Sequence, residues 1–167
     1  MKPRVIIRPV ESSDQKPFVA ASLASAGLHG RWVTAPGNAR EFKQYLGRLD
    51  GKGNHGFVVC MAGTGEIVGA VNLTNIVLGS FCSGYLGYYA FAGYQGQGLM
   101  KQGLRAVVRH AFTDLKLHRL EANIQPANTA SIALVRSCGF HLEGYSPAYL
   151  KIFGRWRDHE RWALVHG

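Results

Sequence analysis

The sequence predicts an α+β fold: one mixed, mostly antiparallel sheet of about seven strands, flanked by helices and carrying a central parallel strand–helix–strand crossover. Three observations lead there. Apolar residues alternate with period two in some segments and follow helical spacing in others, in the order strand, two helices, three strands, helix, strand, helix, two strands. Glycine-rich turns separate the three consecutive strand-like runs, as an antiparallel meander requires. With 167 residues, 47% of them hydrophobic, the chain has the size of one domain and enough apolar matter for a core, so 1–167 reads as a single domain.

Taken in order, "RVIIRPV" alternates and gives a first strand, Arg4 to Val10. "SSDQKPFVAASLASA" opens with a Ser/Asp cap and continues as an apolar-periodic helix ending near Gly27. Phe42, Tyr45, Leu46 and Leu49 share one face of a second helix over Ala39 to Leu49, and "DGKGNHG" is a turn. "FVVCMAG", "EIVGAVNLTNIV" and "GYLGYYAF" are the three strands. After a glycine loop, Leu99, Leu104, Val107, Val108, Ala111, Phe112 and Leu115 follow helical spacing, and "LHRLEANIQP" returns to alternation. Asn128 caps a helix over Thr129 to Ser137, which stops at Gly139. "FHLEGYSPAYLKI" and "WRDHERWALV" are two strands around a turn at "FGR".

Composition narrows the function. No apolar run has the roughly 18 to 20 residues that span a bilayer, and "MKPRVIIRPVESSDQ" turns polar too soon for a signal peptide, so a cytoplasmic protein without membrane contact is expected. Cys60, Cys82 and Cys138 lie far apart, without disulfide or zinc spacing, and no His/Asp/Glu cluster has ligand spacing, so no metal is implied. The net charge of +9 suits an anionic ligand, but its Lys and Arg are scattered and form no RNA-binding ladder, so no specific nucleic acid is expected.

The segment "GYQGQGLMKQGLRAVVRHAF" places Gly93, Gly96 and Gly98 between a strand and a helix. Its spacing is G-x-x-G-x-G, which is not the dinucleotide fingerprint, and the Gly-Lys-Ser/Thr of a P-loop is missing. Consecutive N–H groups at such a helix start nevertheless cradle phosphate oxygens, helped by the helix's partial positive charge. Gln95-x-x-Gly98 after a strand resembles the R/Q-x-x-G-x-G/A pyrophosphate motif of the GNAT superfamily of N-acetyltransferases, and "NTASIALVRSCGF" resembles that family's later helix. "GAVNLTNIVLGSFCSGYLGYYAFAGYQGQGLM" and "EGYSPAYLKIFGRWRDH" are similar to the ribosomal-protein-alanine N-acetyltransferase branch, of RimJ and RimL type. The resemblance runs from about Phe57 to Val165.

It implies a single GNAT-like domain that uses acetyl-CoA as co-substrate. The pyrophosphate falls to Gln95, Gly96, Gln97, Gly98, Leu99, Met100 and Lys101, and pantetheine pairs with the backbone of Tyr88, Tyr89, Ala90 and Phe91 as an added strand. Met100 replaces the usual Gly or Ala and should point inward; Asn128 contacts the pantetheine arm or the helix backbone. Val135 stands where many members carry a catalytic tyrosine, and in the resembled branch a serine corresponding to Ser131 replaces it as acid; the competing reading is an ordinary first-turn serine. Asn123 takes a position that often holds a glutamate base. Glu121, on the same face by alternation, is the substitute candidate, with a structural ion pair to Arg119 or Arg136 as its other reading. Trp32 is a candidate acceptor wall or a core residue, and Asp158 and His159 are candidate acceptor contacts or cross-strand braces. His110, His118 and His141 read as structural.

The acceptor implied is an amine, foremost the N-terminal α-amine of a ribosomal or similar basic protein. Two alternatives stay open: a small or antibiotic-like amine, and a non-catalytic acyl-CoA-binding or RNA-associated protein, which the missing tyrosine allows. The oligomeric state is open between monomer and homodimer.

Overall fold

The computed structural model describes residues 4–167. Its elements are β1 (Val5–Pro9), a 3-10 turn (Ser12–Asp14), α1 (Gln15–Ala24), α2 (Ala26–His29), α3 (Ala39–Arg48), β2 (His55–Met61), β3 (Ile67–Val77), β4 (Ser83–Ala90), α4 (Leu99–Thr113), β5 (Arg119–Ile124), α5 (Thr129–Ser137), β6 (His141–Ile152) and β7 (Arg155–Val165). One seven-stranded sheet runs in the order β1-β2-β3-β4-β5-β7-β6, antiparallel everywhere except between β4 and β5. The α+β class, the mixed sheet and the crossover are as the sequence predicts.

Apolar cover on both faces explains the unbroken hydrophobic run of β2. Phe57 and Val59 face the cluster beneath α4, which includes Leu104, Val107 and Phe140, while Val58 and Cys60 face the cluster beneath α1 and α3, with Phe18, Phe42 and Phe91. Gly103 lets α4 lie close on the sheet: a Cβ there would stand 2.6 Å from Val59 Cγ2. Met100 is buried in the same cluster and lies over Gly69, so its inward orientation is as expected.

The first predicted helix divides. Ser25 Oγ donates to the Ala21 carbonyl at 2.6 Å and accepts from the Ala92 N–H at 2.8 Å, which ends α1 and lets α2 continue past Gly27 to His29. Asn38 caps α3 by accepting from the Glu41 N–H at 2.9 Å.

The parallel pair positions the site. β4 and β5 are joined only at Ser83/Arg119, Gly84/Leu120 and Tyr85/Glu121. Beyond these rungs β4 stays with β3 as far as Ala90, and β5 stays with β7 as far as Ile124. The two strands therefore splay, and the sheet opens between Leu86–Tyr88 on one side and Ala122–Ile124 on the other.

Candidate active site

Three left-handed glycines shape the loop between β4 and α4: Gly93 at φ 93°, Gly96 at 74° and Gly98 at 75°. A Cβ on any of them would meet nothing within 4 Å, so the backbone conformation, not local crowding, requires glycine here. Gln95 and Gln97 brace the loop: Gln95 Oε1 accepts from the Gly93 N–H at 2.8 Å, and Gln97 Nε2 donates to the Gly93 carbonyl at 2.9 Å. No side chain caps α4 at Gly98, and the N–H groups from Gln95 to Lys101 have no hydrogen-bond partner among the described residues. A run of free amides at the positive end of a helix 15 residues long is an anion cradle. Arg4 adds charge beside it, its guanidinium donating to the Gln97 carbonyl at 3.2 Å.

The cradle opens onto a cleft of about 420 Å³ lined by Gln95, Gly96, Gly98 to Lys101, the segment Tyr88 to Ala90, and Asn128 and Ser131 of the α5 start. Asn128 caps α5, its Oδ1 accepting from the Ser131 N–H at 3.3 Å. That turn presents Ser131 Oγ to the Tyr88 hydroxyl at 2.7 Å. Burial pushes the Tyr88 phenol well above its ordinary pKa, so it stays protonated, and either hydroxyl of the pair can donate to the other. Val135 is fully buried in the core under α4 rather than in the cleft.

The backbone of β4 divides its roles. Phe91 N–H donates to the Val68 carbonyl at 2.9 Å, so alternation turns Tyr89 and Phe91 toward β3 and Tyr88 and Ala90 toward the opening. The Ala90 carbonyl is then taken by His29 Nε2 at 2.9 Å. The expectation of four residues pairing with a ligand is corrected accordingly: the Phe91 amide is engaged within the sheet, and its ring is core, 5.3 Å from Phe18. Tyr89 lines the cleft, and its buried hydroxyl has no partner among the described residues.

A narrow slot of about 90 Å³ continues from the cleft into the splay between β4 and β5. Trp32 and Val33 wall both spaces, and Asn123, Gln125, His159, Tyr88 and Ser131 supply the slot's polar atoms. His159 is only 3% exposed, yet it borders this space. Two predicted residues stay outside. Glu121 sits at the closed end, where β4 and β5 still pair, and its carboxylate is held by Arg119 Nε at 2.8 Å, with Arg119 also bound to Glu143. Its assignment as base is therefore corrected to the ion pair with Arg119. Asp158 is exposed, binds the Tyr145 hydroxyl and accepts from the Ala148 N–H at 2.8 Å; these donors hold its carboxyl below the usual range, and it braces the β6–β7 hairpin rather than lining the site.

A run of unpartnered amides at a helix start, a mostly apolar cleft leading from it, and a splayed sheet with a hydroxyl pair at its mouth occur together in this chain. Residues 4–141 match the family described as the acetyltransferase (GNAT) domain. The chain belongs to the GNAT acetyltransferases. Among relatives of this GNAT acetyltransferase, the probable N-acetyltransferase YjcK of Bacillus subtilis is 33% identical over 81% of this chain and 75% of its own length. The [ribosomal protein uS5]-alanine N-acetyltransferase of Escherichia coli is 44% identical over 60% of this chain, a match that spans 52% of the E. coli protein. The structure of Mycobacterium smegmatis RimJ in complex with CoA-disulfide superposes with a TM-score of 0.89 at 28% identity, covering 96% of this chain and 81% of that one.

Three contributors to the site of this GNAT enzyme escape sequence reasoning. Arg4 reaches the loop across 93 residues of chain, His29 anchors Ala90 across 61, and the Tyr88 side chain meets Ser131 across 43. None of these pairings leaves a periodic or spacing signal. The unpartnered amides, by contrast, follow from the glycine pattern and the lack of any capping side chain in "GQGLMK".

Proposed function

We propose that this acetyltransferase takes its acetyl group from acetyl-CoA and delivers it to an N-terminal α-amine of a ribosomal or other protein. The observation that carries the reading is the free run of N–H groups from Gln95 to Lys101, opening onto the cleft that leads to Ser131. Pyrophosphate lies on those amides, with Arg4 and Lys101 beside it, and the pantetheine arm runs along the opened edge of β4 at Tyr88. The thioester then reaches the mouth of the slot. Ser131 donates a proton to the departing thiolate, and Tyr88 donates in turn to Ser131 Oγ.

The slot argues for the acceptor. It is small, and among its described lining residues none is acidic, so a single ammonium on a small residue fits while the further ammonium groups of a polyamine find no partner there. The similarity to the E. coli uS5-alanine enzyme supports the same acceptor class.

The test has two parts. Calorimetry should give a saturable, one-site titration with acetyl-CoA, and its absence would refute the cradle. A panel of alanine-initiated ribosomal-protein peptides, polyamines and small amines, read by release of CoA thiol, should rank the peptides first. Faster turnover of a small amine would overturn the acceptor assignment while leaving the chemistry in place.

A further inference from the structure

We infer that His159 is the proton acceptor for the incoming amine, held ready for this role by the backbone of its own strand. This rests on the acetyltransferase reading above. His159 Nδ1 lies 2.9 Å from the Arg157 carbonyl. A carbonyl only accepts, so Nδ1 carries the hydrogen, and in the neutral ring Nε2 is left with a bare lone pair. Nε2 has no hydrogen-bond partner among the described residues, although the side chain is almost entirely buried and borders the slot. Asn123, on the neighbouring β5, lines the same slot, and its buried Oδ1 also lacks a partner. A buried amide oxygen and an unpartnered imidazole nitrogen bordering the same 90 Å³ of space, without donors of their own, describe a receptor for an N–H-rich group. An ammonium supplies both donors at once: one N–H to Asn123 Oδ1, another to His159 Nε2.

Glu160, beside His159 on β7, is engaged by the Trp162 indole N–H at 3.0 Å, and the two predicted carboxylates do not compete for the role. Glu121 is engaged by Arg119 at the closed end of the splay, and Asp158 is engaged by Tyr145 and Ala148 on the exposed hairpin. The titratable groups around His159 are Tyr149 of β6, its ring 6.2 Å away, Tyr88 across the slot, Asp158 and Glu160 on either side along β7, and Arg161, which pairs with Asn123 on the same face.

His159 Nε2 takes one proton from the ammonium, which frees the nitrogen lone pair. The C–N bond forms as the thioester C=O π pair moves to oxygen. When that pair returns, the C–S bond breaks and its electrons leave on sulfur, which takes a proton from Ser131. Ser131 is reprotonated by the second proton that the acylated nitrogen loses. Amide and thiol result, and the proton on His159 leaves to solvent.

The test uses the full chain, acetyl-CoA and an alanine-initiated peptide. His159→Gln should lower turnover by about 10²-fold and leave acetyl-CoA affinity within about twofold. Activity of the unaltered chain should carry a limb that rises with pH, because only neutral His159 accepts a proton; the variant should lose that limb and keep the one set by the peptide amine. Imidazole added to His159→Ala should restore part of the rate, a response that a merely structural histidine would not give. Equal rates and equal pH profiles would overturn the assignment. Loss of acetyl-CoA binding by the unaltered chain would instead sink the acetyltransferase reading on which it stands. One measurement needs neither a folded variant nor an acceptor: nitrogen-15 NMR of the unaltered chain with the ring neutral should show His159 with hydrogen on Nδ1, and hydrogen on Nε2 would refute the inference outright.

Discussion

Ser131→Ala separates chemistry from binding at this site. The hydroxyl stands 2.7 Å from Tyr88 on the first turn of a capped helix, so its removal disturbs neither the cap, which uses the Ser131 N–H, nor the backbone. Alanine is the better helix former by a few tenths of a kcal/mol, and a half-buried Tyr88 hydroxyl can still donate to the Ser131 carbonyl at 3.3 Å. Stability should therefore change by less than about 1 kcal/mol. Loss of a positioned acid lowers turnover by about 10² to 10⁴, equivalent to roughly 3 to 5 kcal/mol in the barrier. Tyr88→Phe removes only the neutral hydrogen bond that aims Ser131, worth about 1 kcal/mol, so turnover should fall about fivefold. In the Ser131→Ala background the same Tyr88→Phe change should do nothing, because there is no hydroxyl left to aim. Steady-state release of CoA thiol at saturating acetyl-CoA reads all four proteins. Unchanged turnover in Ser131→Ala, or an equal effect of Tyr88→Phe in both backgrounds, would refute the pair as a proton source.

Four further expectations follow from the same geometry. Gly98→Val places a β-branched residue at φ 75°, a strain of about 1 to 2 kcal/mol that should weaken acetyl-CoA binding roughly tenfold by calorimetry. Gly103→Ala gains about 1 kcal/mol of helix propensity, but its Cβ meets Val59 at 2.6 Å, so thermal denaturation should show a net loss of about 1 to 2 kcal/mol. Burial pushes the Asp14 carboxyl up, but the paired donors of Arg8 at 2.7 and 2.8 Å and the Glu11 N–H outweigh it, so its pKa is depressed in the folded state. Its stabilisation is complete above the ordinary aspartate value near roughly 4 and fades as pH falls through the lower folded value. Acid titration should find Asp14→Asn less stable than the parent by about 2 kcal/mol at neutral pH, the difference closing in strong acid. RNA should bind only weakly and lose affinity steeply with added salt, and sub-micromolar binding at physiological ionic strength would contradict this.

Much of this architecture is readable because it rests on local periodicity. The β2 run, the α4 stripe and the Asn128 cap each declare themselves within a dozen residues, and the glycine loop declares both a turn and a vacancy of capping side chains. What escapes is whatever two distant segments do together. Ser25 ends α1 through a bond to Ala92, which no helix rule foresees. Glu121 and Asn123 share a face of β5 as alternation requires, yet one lies at the closed end of the splay and the other at its slot. The difference of two residues decides which is a site residue, and it depends on where β4 stops pairing, a property of the sheet rather than of β5. His159 and Asp158 part for a similar reason: adjacent residues in a strand face opposite sides.

The three rungs joining β4 to β5 give the sheet a mechanical character. They are a fulcrum. Tyr88 lies three positions past the last rung, about 10 Å along its strand, so a rotation of about 5° there carries its hydroxyl roughly 1 Å, a displacement of the size that costs about a hundredfold in rate. The fulcrum is tightly packed, since a Cβ on Gly84 would stand 2.9 Å from Leu73 Cδ1, and it is flanked by the Arg119 cluster with Glu121 and Glu143. Substitutions at this closed end, remote from any reacting atom, should therefore change the width of the slot, as moving the handle of a pair of tongs moves its tips.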